Sequence, residues 1–395
     1  MSDLPERVLV LGLARSGLAA AAALERRGVE VVRADRELGN DVDLSLLEDV
    51  GVLVKSPGVP AEAPLVVAAR ERGIPVWSEI ELASRLLPNP ILGVTGTNGK
   101  TTTAEWLGFM LGTPVAGNVG RALSELDGEV EPERLVVVEL SSFQLEDIHR
   151  FRPRIAVLLN LEPDHLDRHG SFEAYRDAKL RIFENQTEAD TAVVPRGLDL
   201  EVRAQRIEFA ADDPLPAEPS LRGLHNRENA AAAVAAARAA GAGEEEIARG
   251  LRDFRGVPHR LELVAQRGGV QYVNDSKATN VAAALRALAA YEDEPVRLIL
   301  GGSRKGEDFA QLAAALGPNV RAVYVIGETA DELAGVIPGR SQWAGDLATA
   351  VERAARAAQP GEVVLLSPAC ASYDQFRDFE ERGEEFKRLV ANLPM

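Results

Sequence analysis

The segment ILGVTGTNGKTTTAEW, residues 91–106, is nearly a phosphate-binding P-loop between a strand and a helix. An apolar run ends at position 94, where the strict motif would need its first glycine but this chain has valine. In such loops the backbone N–H groups surround phosphates, the lysine neutralises charge and the threonine hydroxyl can bind Mg²⁺. We therefore predict an ATP site in seven consecutive residues: Gly96, Thr97, Asn98, Gly99, Lys100, Thr101 and Thr102.

Composition narrows the class of protein. The chain has 395 residues, of which 46% are hydrophobic, enough for two or three domains with buried cores. Its net charge of −17 argues against a general affinity for nucleic acid or anionic membranes. The most apolar tract, 229–243, is interrupted by Arg238 and is shorter than a membrane span. With one cysteine, Cys370, the chain fits a reducing compartment, so we predict a cytoplasmic protein with no nucleic-acid partner and no membrane insertion.

The order of predicted elements indicates an α/β fold. Short β-branched runs alternate with alanine-rich helical patterns, which is typical of parallel sheets covered by helices. Pro88 and Pro90 interrupt this alternation, and Gly256 and Pro258 interrupt it again. These breaks predict three domains, at residues 1–90, 91–256 and 257–395.

The first segment has the spacing of a dinucleotide-binding turn. Gly12, Ala14 and Gly17 match G-x-G-x-x-G with alanine in the middle place, and Asp35 ends the following strand. Three interpretations stay open. The turn could hold NAD or FAD, it could hold another nucleotide diphosphate at the helix N-terminus, or it could be only a tight strand-to-helix connection.

Further polar residues follow predicted strands. Glu139 ends one strand near the P-loop and could contact magnesium or could be an ordinary edge carboxylate. The loop 164–169 could be a metal site, a general base or a solvated turn. Lys179 lies in an amphipathic helix, where a surface lysine is the usual interpretation. The segment YVNDSKATN, residues 272–280, could bind a ligand or could only cap a helix, and Cys370 is more typical of a buried thiol than of a nucleophile.

Together, nine segments resemble the Mur ligases in order and spacing, over essentially the whole chain. They are GVTGTNGKTT (93–102), GNVG (117–120), ELSSFQLE (139–146), NLEPDHLDRH (160–169), YRDAKLRIFE (175–184), LHNRENAAAA (224–233), GVPHRLE (256–262), NDSKATN (274–280) and LSPACASYDQF (366–376). The last two are typical of the family members that add D-glutamate.

The resemblance implies three domains: a Rossmann-like N-terminal domain that binds a UDP-sugar, a central P-loop ATPase-type parallel sheet and a C-terminal Rossmann-like α/β domain that binds an amino acid. It implies a monomeric ATP-dependent ligase of peptidoglycan precursor synthesis, which joins D-glutamate to UDP-N-acetylmuramoyl-L-alanine through an acyl phosphate with two Mg²⁺ ions. Alternatives are a sibling ligase that adds another amino acid, a folylpolyglutamate-type ligase, a non-enzymatic ATP switch, and an NAD-dependent oxidoreductase. The last of these rests on residues 1–35 alone.

The resemblance also implies site residues. The UDP-sugar contacts are Leu13, Ala14, Arg15, Ser16, Gly17, Asp35, Arg36, Ser56, Gly58 and Asn118. Beyond the P-loop, the contacts to the adenine nucleotide are Asn226, Asn229, His259, Arg260 and Asp275. The D-glutamate contacts are Thr279, Lys305, Ser372, Tyr373 and Phe379. The metal ligands are Thr101, Glu139, His165 and Lys179, the last as a carbamate, and the catalytic residues are Lys100, Glu139, His165, Lys179 and Lys277.

Overall fold

The computed structural model describes residues 4–304, 306 and 308–393. The chain divides into two compact units, one of which runs to Ser220 and includes Leu224–Phe254. The other comprises Leu221–Gly223 and the chain from Arg255 onward. Two sheets are parallel throughout, and a third is parallel except for one edge strand. Helices connect most of the consecutive strands, which confirms the predicted α/β class. None of the helices in the described ranges combines the length and the apolarity that a membrane crossing needs.

The first sheet belongs to the first unit and has the strand order β2-β1-β3-β4, with all pairs parallel. Its strands are β1 (Arg7–Leu11), β2 (Glu30–Ala34), β3 (Val52–Lys55) and β4 (Val76–Ser78), and its helices are α1 (Arg15–Arg26), α2 (Pro64–Glu71) and α3 (Glu79–Leu86). β2 and β3 flank β1 on opposite sides, so the order in which successive strands are added to the sheet reverses between them. The loops after β1 and β3 therefore form a crevice of the kind that binds ligands in open α/β sheets.

The second sheet, also in the first unit, has the order β10-β9-β8-β5-β7-β6 and is parallel throughout. Its strands are β5 (Ile91–Thr95), β6 (Val115–Gly117), β7 (Val136–Glu139), β8 (Ile155–Leu158), β9 (Thr191–Pro195) and β10 (Gln205–Phe209). Its helices are α4 (Lys100–Leu111), α5 (Ser142–Leu145), α6 (Leu166–His169), α7 (Phe172–Leu180), α8 (Leu224–Ala239) and α9 (Glu244–Asp253). Since β5 lies between β7 and β8, the loop that follows β5 is flanked by the carboxyl ends of both neighbours.

The second unit contains the third sheet, of order β11-β12-β16-β13-β14-β15, in which only β11 runs antiparallel to its neighbour. Its strands are β11 (Glu262–Arg267), β12 (Val270–Asn274), β13 (Val296–Gly301), β14 (Val320–Ile326), β15 (Ser341–Gly345) and β16 (Val363–Leu366). Its helices are α10 (Val281–Ala289), α11 (Phe309–Ala315), α12 (Ala330–Val336), α13 (Leu347–Ala357) and α14 (Phe379–Ala391). Apolar clusters cover both faces, which explains why β13, β14 and β16 are almost entirely hydrophobic.

A buried polar joint connects the first two sheets. Glu81 of α3 is completely buried and accepts hydrogen bonds of 2.8 to 3.1 Å from the backbone N–H groups of residues 149–151. Arg85 donates to the same carboxylate. Burial opposes ionisation of Glu81, but these hydrogen bonds outweigh it and lower the pKa of the carboxyl. A charged group fully satisfied in this way fixes α3 against the turn at 149–151.

Candidate active site

The P-loop connects β5 to α4. Gly99 has a φ of +82° and precedes the first residue of the helix, Lys100. A Cβ at this position would overlap the side-chain oxygen of Asn229, so both the backbone angle and the space require glycine. Val94 is fully buried inside β5, where it pairs with Glu139. The unusual spacing therefore has a simple cause: the strand extends through the position at which the strict motif places its first glycine.

Hydrogen bonds to the segment after the neighbouring strand β8 and to α7 anchor the P-loop. Asn160 accepts from the Asn98 backbone N–H through its side-chain oxygen (2.8 Å) and from the Thr97 N–H through its carbonyl (3.1 Å). The Tyr175 hydroxyl donates to the Thr97 hydroxyl oxygen at 3.0 Å, and Thr97 donates to the Glu162 carbonyl. Sequence reasoning missed Asn160, Glu162 and Tyr175. The available signal was that Asn160 directly follows the strand next to the P-loop.

Two lysines converge on the P-loop. Lys100 Nζ donates to the carbonyls of Gly96 (2.9 Å) and Thr97 (2.8 Å), and Lys179 Nζ donates to the same Gly96 carbonyl at 2.8 Å. Lys179 is only 2% exposed, so the interpretation of a surface lysine is wrong. Burial, together with the nearby charge of Lys100, lowers the pKa of Lys179 to about 7.

Glu139 lies on the other side of the loop, at the carboxyl end of β7. It is 2% exposed, and its carboxylate accepts a hydrogen bond from Asn118 Nδ2 at 3.1 Å. The Asn118 backbone N–H also donates to the Glu139 carbonyl, at 2.9 Å. The GNVG turn and the predicted metal ligand are thus held together, as the sequence motifs alone could not show.

His165 occupies a strained position. It has a φ of +51°, in the left-handed region that residues other than glycine seldom adopt, and its side chain is 51% exposed. Its ring lies 5.0 Å from the ring of Phe143, centroid to centroid. Within the ranges that the structure describes, no group of three or more His, Cys, Asp or Glu residues converges to hold a metal ion.

Except for Asn118, which lies beside Glu139, the predicted UDP-sugar residues lie after β1, β2 and β3 of the first sheet. Asp35 accepts from the backbone N–H of Leu13 (2.5 Å) and of Glu37 (2.8 Å), and these bonds lower its pKa. Ser56 Oγ donates to the Gly12 carbonyl at 2.6 Å, which joins the two loops. Ala14 has a φ of −70° and immediately precedes α1, so alanine fits there without strain. Of the remaining predicted contacts, Arg15, Ser16 and Gly17 form the first turn of α1, Arg36 follows β2, and Gly58 lies in the turn after β3.

In the second unit, the motif residues gather around Asp275, which is 5% exposed. Ser367 Oγ donates to one carboxylate oxygen (2.7 Å) and the Leu261 N–H donates to the other (3.2 Å). Burial raises the pKa of the Asp275 carboxyl to about 7. His259, with a φ of +63°, accepts at its carbonyl from the Lys277 N–H at 3.0 Å, so the GVPHRLE and NDSKATN segments are in contact.

Those predicted D-glutamate residues that the structure describes lie at the same edge of the third sheet as Asp275. Lys277 Nζ is 5.7 Å from the centre of the Phe379 ring, and the His259 ring meets that ring edge-on at 6.2 Å. Ser372 is buried, whereas Tyr373 is 69% exposed. Thr279 is half-buried just before α10. Lys305 lies outside the described residues.

Within the segment 272–280, the helix-cap interpretation is confirmed for Asn280 and wrong for Ser276. Helix α10 starts at Val281, and Asn280 caps it by accepting from the Ala283 N–H. Ser276 Oγ instead donates to the Phe379 carbonyl at 2.8 Å. Its other partner is Arg382, a buried cation that also donates to the carbonyls of residues 370 and 371. Sequence reasoning missed Arg382, because nothing in the charged pattern of α14 distinguishes it from the exposed residues.

The adenine-nucleotide residues fall in both units. Asn226 and Asn229 are buried on α8, and Asn229 contacts the P-loop glycine Gly99. His259, Arg260 and Asp275 belong to the second unit. Cys370 is 1% exposed, with its sulfur 3.4 Å from the Thr329 hydroxyl, which agrees with a buried thiol.

Comparison with known proteins identifies the family. The family model for the Mur ligase middle domain matches residues 94–210, and the model for the Mur ligase glutamate ligase domain matches residues 259–370. The chain is 44% identical to UDP-N-acetylmuramoylalanine–D-glutamate ligase of Anaeromyxobacter dehalogenans, with 97% of each chain aligned. It is 41% identical to the protein of the same name from Geobacillus kaustophilus, with 98% of each chain aligned.

Solved structures agree with the fold. The MurF ligase of Thermotoga maritima, solved in complex with ADP, superimposes with a TM-score of 0.60 at 18% identity and covers 99% of this chain and 97% of its own. UDP-N-acetylmuramate–alanine ligase MurC of the same organism gives a TM-score of 0.59 at 19% identity, covering 98% of this chain and 100% of its own. These structures share the fold, and the full-length sequence relatives at 41% and 44% identity show that the chain belongs to the Mur ligase family.

Proposed function

We propose that this protein is an ATP-dependent ligase that joins D-glutamate to UDP-N-acetylmuramoyl-L-alanine, with release of ADP and phosphate. The observation that carries the proposal is the end-to-end similarity to relatives named for this reaction, at 44% identity in the first of them. The motif residues support it, because each sheet presents its own set at its carboxyl edge. The ranges 1–90, 91–256 and 257–395 then bind the UDP-sugar, ATP and the amino acid, respectively.

The reaction needs an activated carboxylate. A carboxylate oxygen of the L-alanine attacks the γ-phosphorus of ATP, ADP leaves, and an acyl phosphate forms. The D-glutamate amine, after losing a proton from its ammonium, attacks the acyl carbon, and inorganic phosphate leaves as the amide bond forms. Both anions of the first step must be brought into line against their repulsion, so catalysis consists mainly of positioning and charge neutralisation. Lys100 supplies a positive charge at the P-loop, and Lys277 supplies one at the edge of the third sheet.

The predicted metal ligands suit Mg²⁺ if Lys179 is carbamylated. Thr101, Glu139 and His165 offer a hydroxyl, a carboxylate and an imidazole, whereas magnesium prefers oxygen ligands. The buried Lys179 amine is unsuitable as a ligand, but as a carbamate it presents two oxygens and exchanges a positive charge for a negative one. Bound here, two Mg²⁺ ions would screen the charge of the triphosphate. We therefore infer that Lys179 is carbamylated and that these four residues hold the metal.

The protein acts on small molecules, and we propose that it does so as a cytoplasmic monomer. Its net charge of −17 would repel these anionic substrates at long range, so local groups must provide the attraction. The P-loop N–H groups and Lys100 attract the phosphates of ATP. The N-terminus of α1 and Arg15 attract the diphosphate of the sugar nucleotide.

The proposed function is tested by measuring phosphate release and amide product with ATP, Mg²⁺ and UDP-N-acetylmuramoyl-L-alanine. D-glutamate, L-glutamate, L-alanine and meso-diaminopimelate are offered in turn as the amino acid. We expect amide formation with D-glutamate and background with the others. Another preferred amino acid would move the protein to a sibling activity, and ATP hydrolysis without amide in every case would contradict the proposal.

A further inference from the structure

The carbonyl of Val59 receives two cationic donors. Val59 closes the turn after β3, because its N–H donates to the Ser56 carbonyl at 3.0 Å. Its own carbonyl accepts from Lys55 Nζ at 3.3 Å and from Arg168 Nη2 at 2.9 Å. Lys55 belongs to the first sheet, whereas Arg168 belongs to α6 beside the second sheet. The turn that carries the predicted UDP-sugar contacts is therefore held from both sheets.

The same guanidinium packs on the aromatic ring beside His165. The Arg168 Cζ atom lies 4.0 Å from the centre of the Phe143 ring. Phe143 also lies 5.0 Å from the ring of His165 and stacks on the ring of His169 at 5.2 Å, with 13° between their planes. The edge of the Arg168 guanidinium thus donates to the turn 56–59, and its face packs on Phe143. Phe143 in turn contacts the ring of His165, a predicted metal ligand.

A second set of contacts holds His169, the ring on which Phe143 stacks. The Ser142 hydroxyl is 3.0 Å from His169 Nε2, and Glu146 Oε1 is 3.5 Å from His169 Nδ1. The other oxygen of Glu146 lies 3.6 Å from Lys55 Nζ and 3.9 Å from Arg168. These side chains are mostly buried. Little solvent therefore screens the electrostatic interactions that run from Lys55 of the first sheet through Glu146 to His169.

We propose that Arg168 is a positioning residue, which holds the turn 56–59 and His165 in a fixed mutual arrangement. The inference rests on the proposed function. In that reaction the sugar nucleotide, bound by the turn, must deliver its carboxylate to the phosphate of ATP beside His165. A misalignment of about 1 Å between reacting groups can lower a rate about 100-fold, so a link between the two loops has a direct catalytic purpose.

The first test compares Arg168→Met with Arg176→Met, which removes an exposed arginine of α7 whose partner is the adjacent Asp177. We expect R168M to raise the KM for UDP-N-acetylmuramoyl-L-alanine about tenfold or more and to lower kcat, because a charge-assisted hydrogen bond to the turn is lost. The KM for D-glutamate should stay within about twofold. Arg168→Lys should resemble R168M in kcat, since lysine lacks the planar group that stacks on Phe143, but should raise the KM less than R168M, since lysine keeps a cationic donor for the turn.

The second test separates the two contacts of Arg168. Phe143→Leu should lower kcat while leaving the KM for the sugar nucleotide near the wild-type value, because only the support of His165 is removed. In the double variant R168M/F143L, the fall in kcat should be smaller than the product of the two single effects, since both act through the same link. If R168M does not fold, R168K takes its place in the cycle.

Two results would overturn the inference. One is a wild-type KM for the sugar nucleotide in folded R168M, and the other is strictly multiplicative loss of kcat in the double variant. A loss of melting temperature with unchanged kinetic constants would assign Arg168 a purely structural role. If the wild-type protein itself makes no amide, it is the proposed function that fails, so the two failures are distinguishable.

Discussion

Lys179 shows how burial changes the chemistry of a side chain. Its amine is enclosed beside a second lysine and against the P-loop carbonyl of Gly96, a poor environment for a positive charge. Carbamylation would remove that charge and supply oxygen ligands. We expect Lys179→Ala to lower kcat by at least about 100-fold, a loss typical when charge stabilisation at the reacting phosphate is removed.

Restoring the activity of K179A with a small carboxylic acid tests the carbamate specifically. Formate or acetate can enter the space left by the side chain and replace the carbamate, so either should restore part of the phosphate release of K179A. Lys179→Arg provides the matched control, because it keeps the positive charge, fills the space and should not respond to the added acid. Full activity of K179A without any additive would remove the carbamate from the mechanism.

Asp275 predicts a pH dependence of stability. Its pKa is 3.8 in the unfolded chain and about 7 in the folded protein, because of burial. Between these values the folded Asp275 carboxyl holds more protons than the unfolded one, so its contribution to the free energy of unfolding falls as the pH rises from 4 to 7. The contribution of this group is at most about 4 kcal/mol. Asp275→Asn cannot ionise and lacks this contribution, so we expect its free energy of unfolding to rise relative to that of the wild type as the pH increases from 4 to 7, as measured by urea unfolding at several pH values.

The control for this measurement is Asp293→Asn, which changes an exposed carboxylate in the same unit. It should keep the pH dependence of the wild type. If D275N and D293N gave the same slope between pH 4 and 7, the Asp275 carboxyl would not titrate as its surroundings imply.

Helix α4 offers a comparison between its two ends. Gly99 and Gly112 both have left-handed backbone angles, with φ of +82° and +58°, but only a Cβ at Gly99 meets another residue. Gly99→Ala must displace Asn229 or the P-loop, and we expect kcat/KM for ATP to fall about 100-fold. Gly112→Ala faces open space and should reduce the free energy of unfolding by about 1 kcal/mol while leaving kcat/KM unchanged. Equal kinetic effects at the two ends would contradict the role assigned to Gly99.

Elements were easier to predict than their surroundings. The P-loop, its strand and its helix follow from glycine spacing and from an apolar run, which are local properties. Within the segment 272–280, Ser276 resembles a helix cap in sequence but has a partner about a hundred residues away, the Phe379 carbonyl at the start of α14, and Asn280 is the residue that caps α10. Local patterns cannot distinguish a capping hydroxyl from one that bonds to a remote part of the chain.

For the molecule as a whole, two compact units with separate cores predict more than one unfolding transition. We expect calorimetry to resolve them through variants that act on one unit each. Glu81→Gln breaks the joint in the first unit and should destabilise that transition alone by about 2 to 4 kcal/mol, since a buried carboxylate that accepts several N–H bonds is lost. D275N should alter only the other transition.

The exposed Glu71→Gln substitution on α2 serves as the control and should move neither transition. A single transition shifted equally by E81Q and D275N would mean that the units unfold together. ATP added to the wild type should raise the transition that E81Q lowers, because the P-loop and Glu81 lie in the same unit.

The amino-acid sequence alone establishes the α/β class and the P-loop, since these depend on composition and on spacing over short distances, and its nine motifs carry the resemblance to the Mur ligases. Folding was needed to bury Lys179, to set Ser367 against Asp275, and to bring Arg168 to both Val59 and Phe143. The physical reason is that burial, pKa and shared partners arise where strands from distant parts of the chain end side by side. No pattern within a single segment contains that information.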